Sequence, residues 1–141
     1  AKGSLQLSLA ENPPLMQLDR HHFANVLANL IDNAIKYSRE APVIALQTKV
    51  TPEAFILEVS DKGIGISKEN QKLVFKNLFR VHTGNLHNVK GFGIGLFYVK
   101  RIVEMHGGRI DLESEVGQGT VFRLFLPRHF TLKTKAEYEN T

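Results

Sequence analysis

"NLIDNAIKYS", residues 29–38, closes a run in which Phe23, Val26, Leu27, Leu30, Ile31, Ala34 and Ile35 recur at steps of three and four. That rhythm is the core-facing stripe of an amphipathic helix. Asp19 stands where an N-cap belongs and Pro42 lies beyond the far end, so the spacing predicts a helix over 19–38. Asn29 and Asn33 fall four apart on one ridge of it, beside the stripe. Asparagine costs a helix interior roughly 0.5 kcal/mol or more against alanine, because its amide competes for backbone hydrogen bonds. An amide oxygen is a hard donor of the kind Mg²⁺ accepts, and Lys36, three residues past Asn33, could meet a phosphate as a point charge. Exposed amides capping nearby backbone would explain the pair as well.

Outward from this helix, Leu5, Leu7 and Leu9 alternate as in a strand, with a turn at Asn12-Pro13-Pro14 and a short extended piece to Leu18. Downstream, Val43–Val50 and Ala54–Ser60 read as a hairpin, Asp61 to Gly65 as a glycine-bearing loop, and Ser67 to Lys76 as a short helix. Residues 80–91 lack periodicity and are predicted to be a mobile loop. A helix over Phe92–His106 stops at Gly107-Gly108, and Arg109–Ser114 and Thr120–Leu126 flank the turn "EVGQG". The expected architecture is an α/β two-layer sandwich, a mixed sheet covered on one face by about three helices. The polar residues 128–141 are expected to form a fraying tail behind a domain of residues 1–127.

The 141 residues suit one domain with one core, and 43% hydrophobic with 23% charged residues excludes a disordered or fibrous chain. No apolar run spans a bilayer, and the absence of cysteine removes disulfides, thiolate ligands and thiol nucleophiles. The net charge of +4 is dispersed rather than gathered on one face with aromatics, so nucleic acid is not expected as a partner.

Three further motifs carry chemistry. "DKGIGIS", residues 61–67, sets a carboxylate at a strand end with Gly63 and Gly65 allowing close backbone approach; an exocyclic amine of a base would satisfy that acid, although Asp also commonly opens a plain turn. "GFGIGL", residues 91–96, spaces Gly91, Gly93 and Gly95 directly before a helix, where backbone N–H groups favour an anion such as phosphate. It fits neither the dinucleotide fingerprint nor the P-loop, and a hinge without ligand is the plainer alternative. "GQGT", residues 117–120, could offer the Thr120 hydroxyl to a ligand or be an ordinary hairpin turn.

In this order the motifs resemble the ATP-binding catalytic domain of two-component sensor histidine kinases, in the gyrase, MutL and histidine-kinase ATPase superfamily (Bergerat fold). "NLIDNAIKYS" resembles the N box, "DKGIGI" the G1 box, "LVFKNLFRV" the F box, "GFGIGLFYVKRIVEMHGG" the G2 box and "SEVGQGTVFRLFLP" the final hairpin. The resemblance implies ATP and Mg²⁺ as ligands, with Asn33 on the metal, Asn29 supporting it and Lys36 on phosphate, these three forming the catalytic set. Tyr37 would lie near adenine, and Asp61 would accept from its amino group, with Gly63, Gly65, Ile66 and Thr120 shaping the pocket. Residues 80–91 would be the ATP lid. Phe75, Phe79 and Arg80 of the F box, and Gly91, Phe92, Gly93, Ile94, Gly95 and Leu96 of the G2 box, would complete the ATP-binding residues.

Leu78 and Lys76 depart from the usual F box, which implies altered lid docking, and Lys62 replaces a frequent Asn. Hydrolytic superfamily members carry a glutamate where Asn29 stands; an amide is no base near neutral pH, so slow water attack is expected. The γ-phosphoryl would then go to a histidine. None of His21, His22, His82, His87, His106 or His129 has the phosphoacceptor pattern, and His106 at a helix end would suit an imidazolium. The implied partners are therefore a phosphoacceptor histidine domain of the same protein and a cognate response regulator. The implied setting is the cytoplasmic part of a membrane-anchored sensor kinase, with this domain a monomer and the parent a homodimer. A degenerate nucleotide-sensing or docking module is the alternative, and a hydrolytic ATPase the third.

Overall fold

The computed structural model describes residues 3–76 and 95–129. Helix α1 (Arg20–Lys36) begins where Asp19 accepts a hydrogen bond from the His22 N–H at 3.0 Å, and ends as the Tyr37 N–H returns to the Asn33 carbonyl. Strand β1 (Ser4–Ser8) precedes it, and β2 (Val43–Val50) and β3 (Ala54–Asp61) follow as a hairpin closed by the Thr51 N–H on Ala54 O at 2.9 Å. Then come α2 (Lys68–Gln71), capped by Ser67, α3 (Gly95–Met105), β4 (Arg109–Glu115) and β5 (Gly119–Pro127).

The strands lie in the order β1-β2-β3-β5-β4, parallel between β1 and β2 and antiparallel elsewhere. Two local hairpins thus meet at a central seam between β3 and β5. Register sets residues in rows across the sheet, and Leu46, Val59, Phe122 and Leu112 form one row on the helix side. Val26, Leu30 and Ala34 of α1 and Val99, Ile102 and Val103 of α3 are buried against that side, each Val, Leu and Ile chain contributing about 1.5–3 kcal/mol when fully covered. The outer face is polar, with Glu58 and Arg123 paired at 2.9 Å across the seam. There Arg109 also lies over the Phe125 ring at 4.0 Å.

The mixed sheet with helices on one face is as expected, and four details differ. Leu5 and Leu7 share the core-side rows of Ile44 and Leu46, yet stay 53% and 57% exposed. They sit on the edge strand, while the helices pack on β3, β4 and β5. The short helix is a single turn, because after Gln71 the chain tightens into three-residue turns (Leu73 N–H to Asn70 O, Lys76 N–H to Leu73 O). Strand β3 runs on to Asp61, which puts that carboxylate inside the ladder. Arg128, expected to fray, is held by its N–H on Glu53 O at 2.9 Å and its guanidinium on Thr51 O at 3.0 Å.

Candidate nucleotide site

Asp61 pairs with Ile44 of β2 on one side and Thr120 of β5 on the other. Its Oδ1 accepts from the Gly63 N–H at 2.8 Å, and the Thr120 N–H also donates to the carboxylate. Burial pushes the carboxyl above the ordinary aspartate range, and the two backbone donors offset only part of that.

The loop after Asp61 is held from three sides. Ile64 N–H donates to Tyr37 O at the end of α1, and Gly117 N–H donates back to Ile64 O. Ile66 N–H donates to Ser114 Oγ at 2.7 Å, while Gln71 Nε2 donates to both Ile66 O (2.8 Å) and Ser114 O (3.0 Å). Three residues have no room for a side chain. Gly65 (φ +74°) would drive a Cβ to 2.1 Å from Glu115 O, and Gly119 (φ +122°) one to 2.0 Å from Asp61 O. Gly63 packs its backbone against Tyr37 O.

The second half of the site lies where α1 crosses α3. Asn29 donates through Nδ2 to Asn25 O at 2.9 Å, and its Oδ1 lies against Gly95, the first described residue of α3. Among the described residues the half-buried Asn33 amide has no hydrogen-bond partner. Lys36 pairs with Asp32 at 2.9 Å within the helix. Among the described residues no group of three His, Asp or Glu side chains gathers as a metal cluster.

The C-terminal half of α1 thus joins an amide ridge carrying Asn29 and Asn33 to a carboxylate subsite of Asp61, Gly63, Gly65 and Thr120. The side chains of Ile66, Phe75 and Leu96 pack on the core instead, Phe75 edge-on to Phe122 at 6.2 Å with Lys100 at 5.8 Å over its ring. Phe79, Arg80, Gly91, Phe92, Gly93 and Ile94, with the whole of the expected lid, lie outside the described residues.

His106 corrects the imidazolium expectation. It is 1% exposed, its Nδ1 donates to Ile102 O at 2.8 Å and its Nε2 accepts from the Asp19 N–H at 3.1 Å, the pattern of a neutral ring. It ties the start of α1 to the end of α3, with Phe23 edge-on at 4.6 Å. Sequence reasoning also passed over Ser114 and Gln71. A hairpin centred on Gly117 places Ser114 opposite Thr120 on one face, and that register was the available signal.

Comparison with known proteins agrees with this fold. The family described as histidine kinase-, DNA gyrase B-, and HSP90-like ATPase matches residues 18–129. Sensor protein RprX of Bacteroides fragilis is 46% identical over 127 residues, covering 89% of this chain and 24% of that protein. The signal transduction histidine-protein kinase ArlS of Staphylococcus haemolyticus is 36% identical over 116 residues, covering 82% of this chain and 26% of that protein. The chain therefore spans about a quarter of the length of these relatives. Among solved structures, the mycobacterial sensor histidine kinase MprB superposes with a TM-score of 0.75 at 25% identity, over 90% of this chain and 86% of that one. The Acinetobacter baumannii histidine kinase AdeS gives 0.71 at 28% identity, over 92% and 56%. With its fold, its motifs and its relatives in agreement, the chain belongs to the histidine kinase-, gyrase B- and HSP90-like ATPases, as a catalytic domain of the histidine-kinase type.

Proposed function

We propose that residues 1–127 bind Mg·ATP and donate its γ-phosphoryl group to a histidine imidazole on a separate phosphoacceptor domain of a longer sensor kinase. The observation that carries this is Asp61, a largely buried carboxylate aimed by two backbone donors at the end of the central seam. Such an acid needs an external donor, and the exocyclic amine of adenine supplies one. Asn33 would hold Mg²⁺, which when bound neutralises phosphate charge. Lys36 would exchange Asp32 for phosphate, and Tyr37 would border the base.

The residues around the phosphates position rather than attack. Asn29 presents an amide, spent on Asn25 and packed against Gly95, and cannot take a proton from water. The buried His106 is committed to two backbone groups and His22 Nδ1 lies 2.7 Å from the Tyr98 hydroxyl, so neither serves as the phosphoacceptor. The recipient histidine and a response regulator belong to the wider signalling system, with the parent anchored at a membrane and dimeric.

The test is a calorimetric titration with a non-hydrolysable ATP analogue, with and without Mg²⁺, on the wild-type and Asp61→Asn domains. Saturable binding strengthened by Mg²⁺ and weakened about ten- to a hundredfold by Asp61→Asn is expected, the worth of a hydrogen bond to a charged group. Equal affinity in both proteins would sink the reading. Binding without phosphotransfer to the parent's acceptor domain would favour a nucleotide-sensing module, a reading that Lys76 and Leu78 in the F box keep in play.

A further inference from the structure

Asp61, Thr120 and Ser114 stand side by side on β3, β5 and β4, in one row on the helix face of the sheet. Ser114 Oγ has three polar neighbours: Ile66 N at 2.7 Å, Gly119 O at 2.8 Å and Thr120 Oγ1 at 2.8 Å. A hydroxyl owns one proton and two lone pairs. The Ile66 N–H can only donate, so it takes one lone pair. The Gly119 carbonyl can only accept, so it takes the proton. The contact with Thr120 must then be made by the threonine's proton, landing on the second lone pair of Ser114. The opposite assignment would leave Ser114 Oγ and Gly119 O in contact with no proton between them, which is repulsive. Thr120 is only 6% exposed, so bulk water does not average its hydroxyl over other orientations.

With its proton spent on Ser114, Thr120 can offer a ligand lone pairs only, and it does so beside the Asp61 carboxylate. Two adjacent acceptors match a donor and repel a carbonyl. We propose that Ser114 is a specificity-determining positioning residue, which fixes Thr120 as an acceptor and so selects a 6-amino purine over a 6-oxo purine. The inference deepens the nucleotide reading above and rests on it: the base must sit at Asp61.

Binding of ADP and IDP, which differ in the 6-amino against 6-oxo group and the accompanying proton on N1 and carry no γ-phosphoryl to transfer, measures the effect at pH 8. Wild type is expected to prefer ADP. Ser114→Ala frees the Thr120 proton to turn toward the ligand, and should narrow the ADP:IDP ratio about tenfold, chiefly by tightening IDP. Ser114→Thr, which keeps the hydroxyl, should restore the ratio. A purely structural role would weaken both nucleotides together, so an unchanged ratio in a Ser114→Ala protein that still binds ADP overturns the assignment. Failure of wild type to bind ADP, or indifference of ADP affinity to Asp61→Asn, would overturn the nucleotide reading and this inference with it. Neutron diffraction from deuterated wild-type crystals reads the same proton without any substitution. A deuteron on Thr120 Oγ1 directed at Ser114 is expected; one on Ser114 directed at Thr120 would refute the proposal.

Discussion

Gly117 and Gly119 sit two residues apart in one turn, both at positive φ, yet alanine should cost them very different amounts. At Gly117 (φ +85°) a new Cβ meets nothing within 4 Å, so the cost is the left-handed backbone alone, about 1 kcal/mol. At Gly119 (φ +122°) the Cβ would lie 2.0 Å from Asp61 O, far short of the 3.4 Å at which ordinary contact begins. The obstacle is backbone of a central strand and cannot swing aside. The turn must instead withdraw from β3, giving up the Thr120 N–H on the Asp61 carboxylate and the Gly117 N–H on Ile64 O. Two such bonds at about 1 kcal/mol each, with 1–2 kcal/mol of backbone strain, give roughly 3–4 kcal/mol. Urea denaturation of Gly117→Ala, Gly119→Ala and wild type at neutral pH measures both changes. In thermal melts a domain of this size loses about 3 °C per kcal/mol, so shifts near 3 °C and 10 °C are expected. Because the withdrawal opens the row containing Asp61 and Thr120, only Gly119→Ala should also abolish nucleotide binding. Equal destabilisation by the two variants would refute the reasoning.

Two other predictions concern pH and the helix clamp. Arg123, hydrogen-bonded at 2.9 Å, holds the Glu58 carboxyl below the ordinary glutamate range. Its stabilisation is therefore fully present above the unfolded-state pKa and lost as pH falls through the lowered folded value. Glu58→Gln should cost about 1 kcal/mol at pH 7 and flatten the acid limb of the stability curve; an unchanged acid limb would count against the pair. For His106, replacement by leucine removes the acceptor of the part-buried Asp19 N–H and should cost about 1 kcal/mol in urea unfolding, with glutamine, which can still accept, recovering part of that. If the two variants are equally stable, the ring acts only by filling space.

What could be read in advance was local. The three-and-four spacing of α1, the Asp19 cap, both hairpins and the Asp-Gly loop depend on neighbours a few residues apart, and each stands where the pattern put it. What could not be read depends on distant partners. Nothing in Leu5 and Leu7 announces that their strand pairs parallel at a sheet edge left open by the helices. Nor does His106 reveal that both its nitrogens are claimed by backbone, one of them by a residue 87 positions away. Ser114 reads as an ordinary strand serine until the loop from β3 folds back onto it.

The seam between β3 and β5 bears on how the domain folds. Each hairpin closes between near neighbours, but the seam joins residues at least as far apart as Asp61 and Thr120 and must meet the loop-closure entropy of everything between them. Asp61 comes from one hairpin, Thr120 and Ser114 from the other, so neither can assemble the base subsite by itself. Binding competence should arrive late on the folding pathway, with the docking of the two halves. A bound nucleotide would hold shut the joint that closes last, and ligand occupancy would be felt as slower global unfolding rather than as local stiffening.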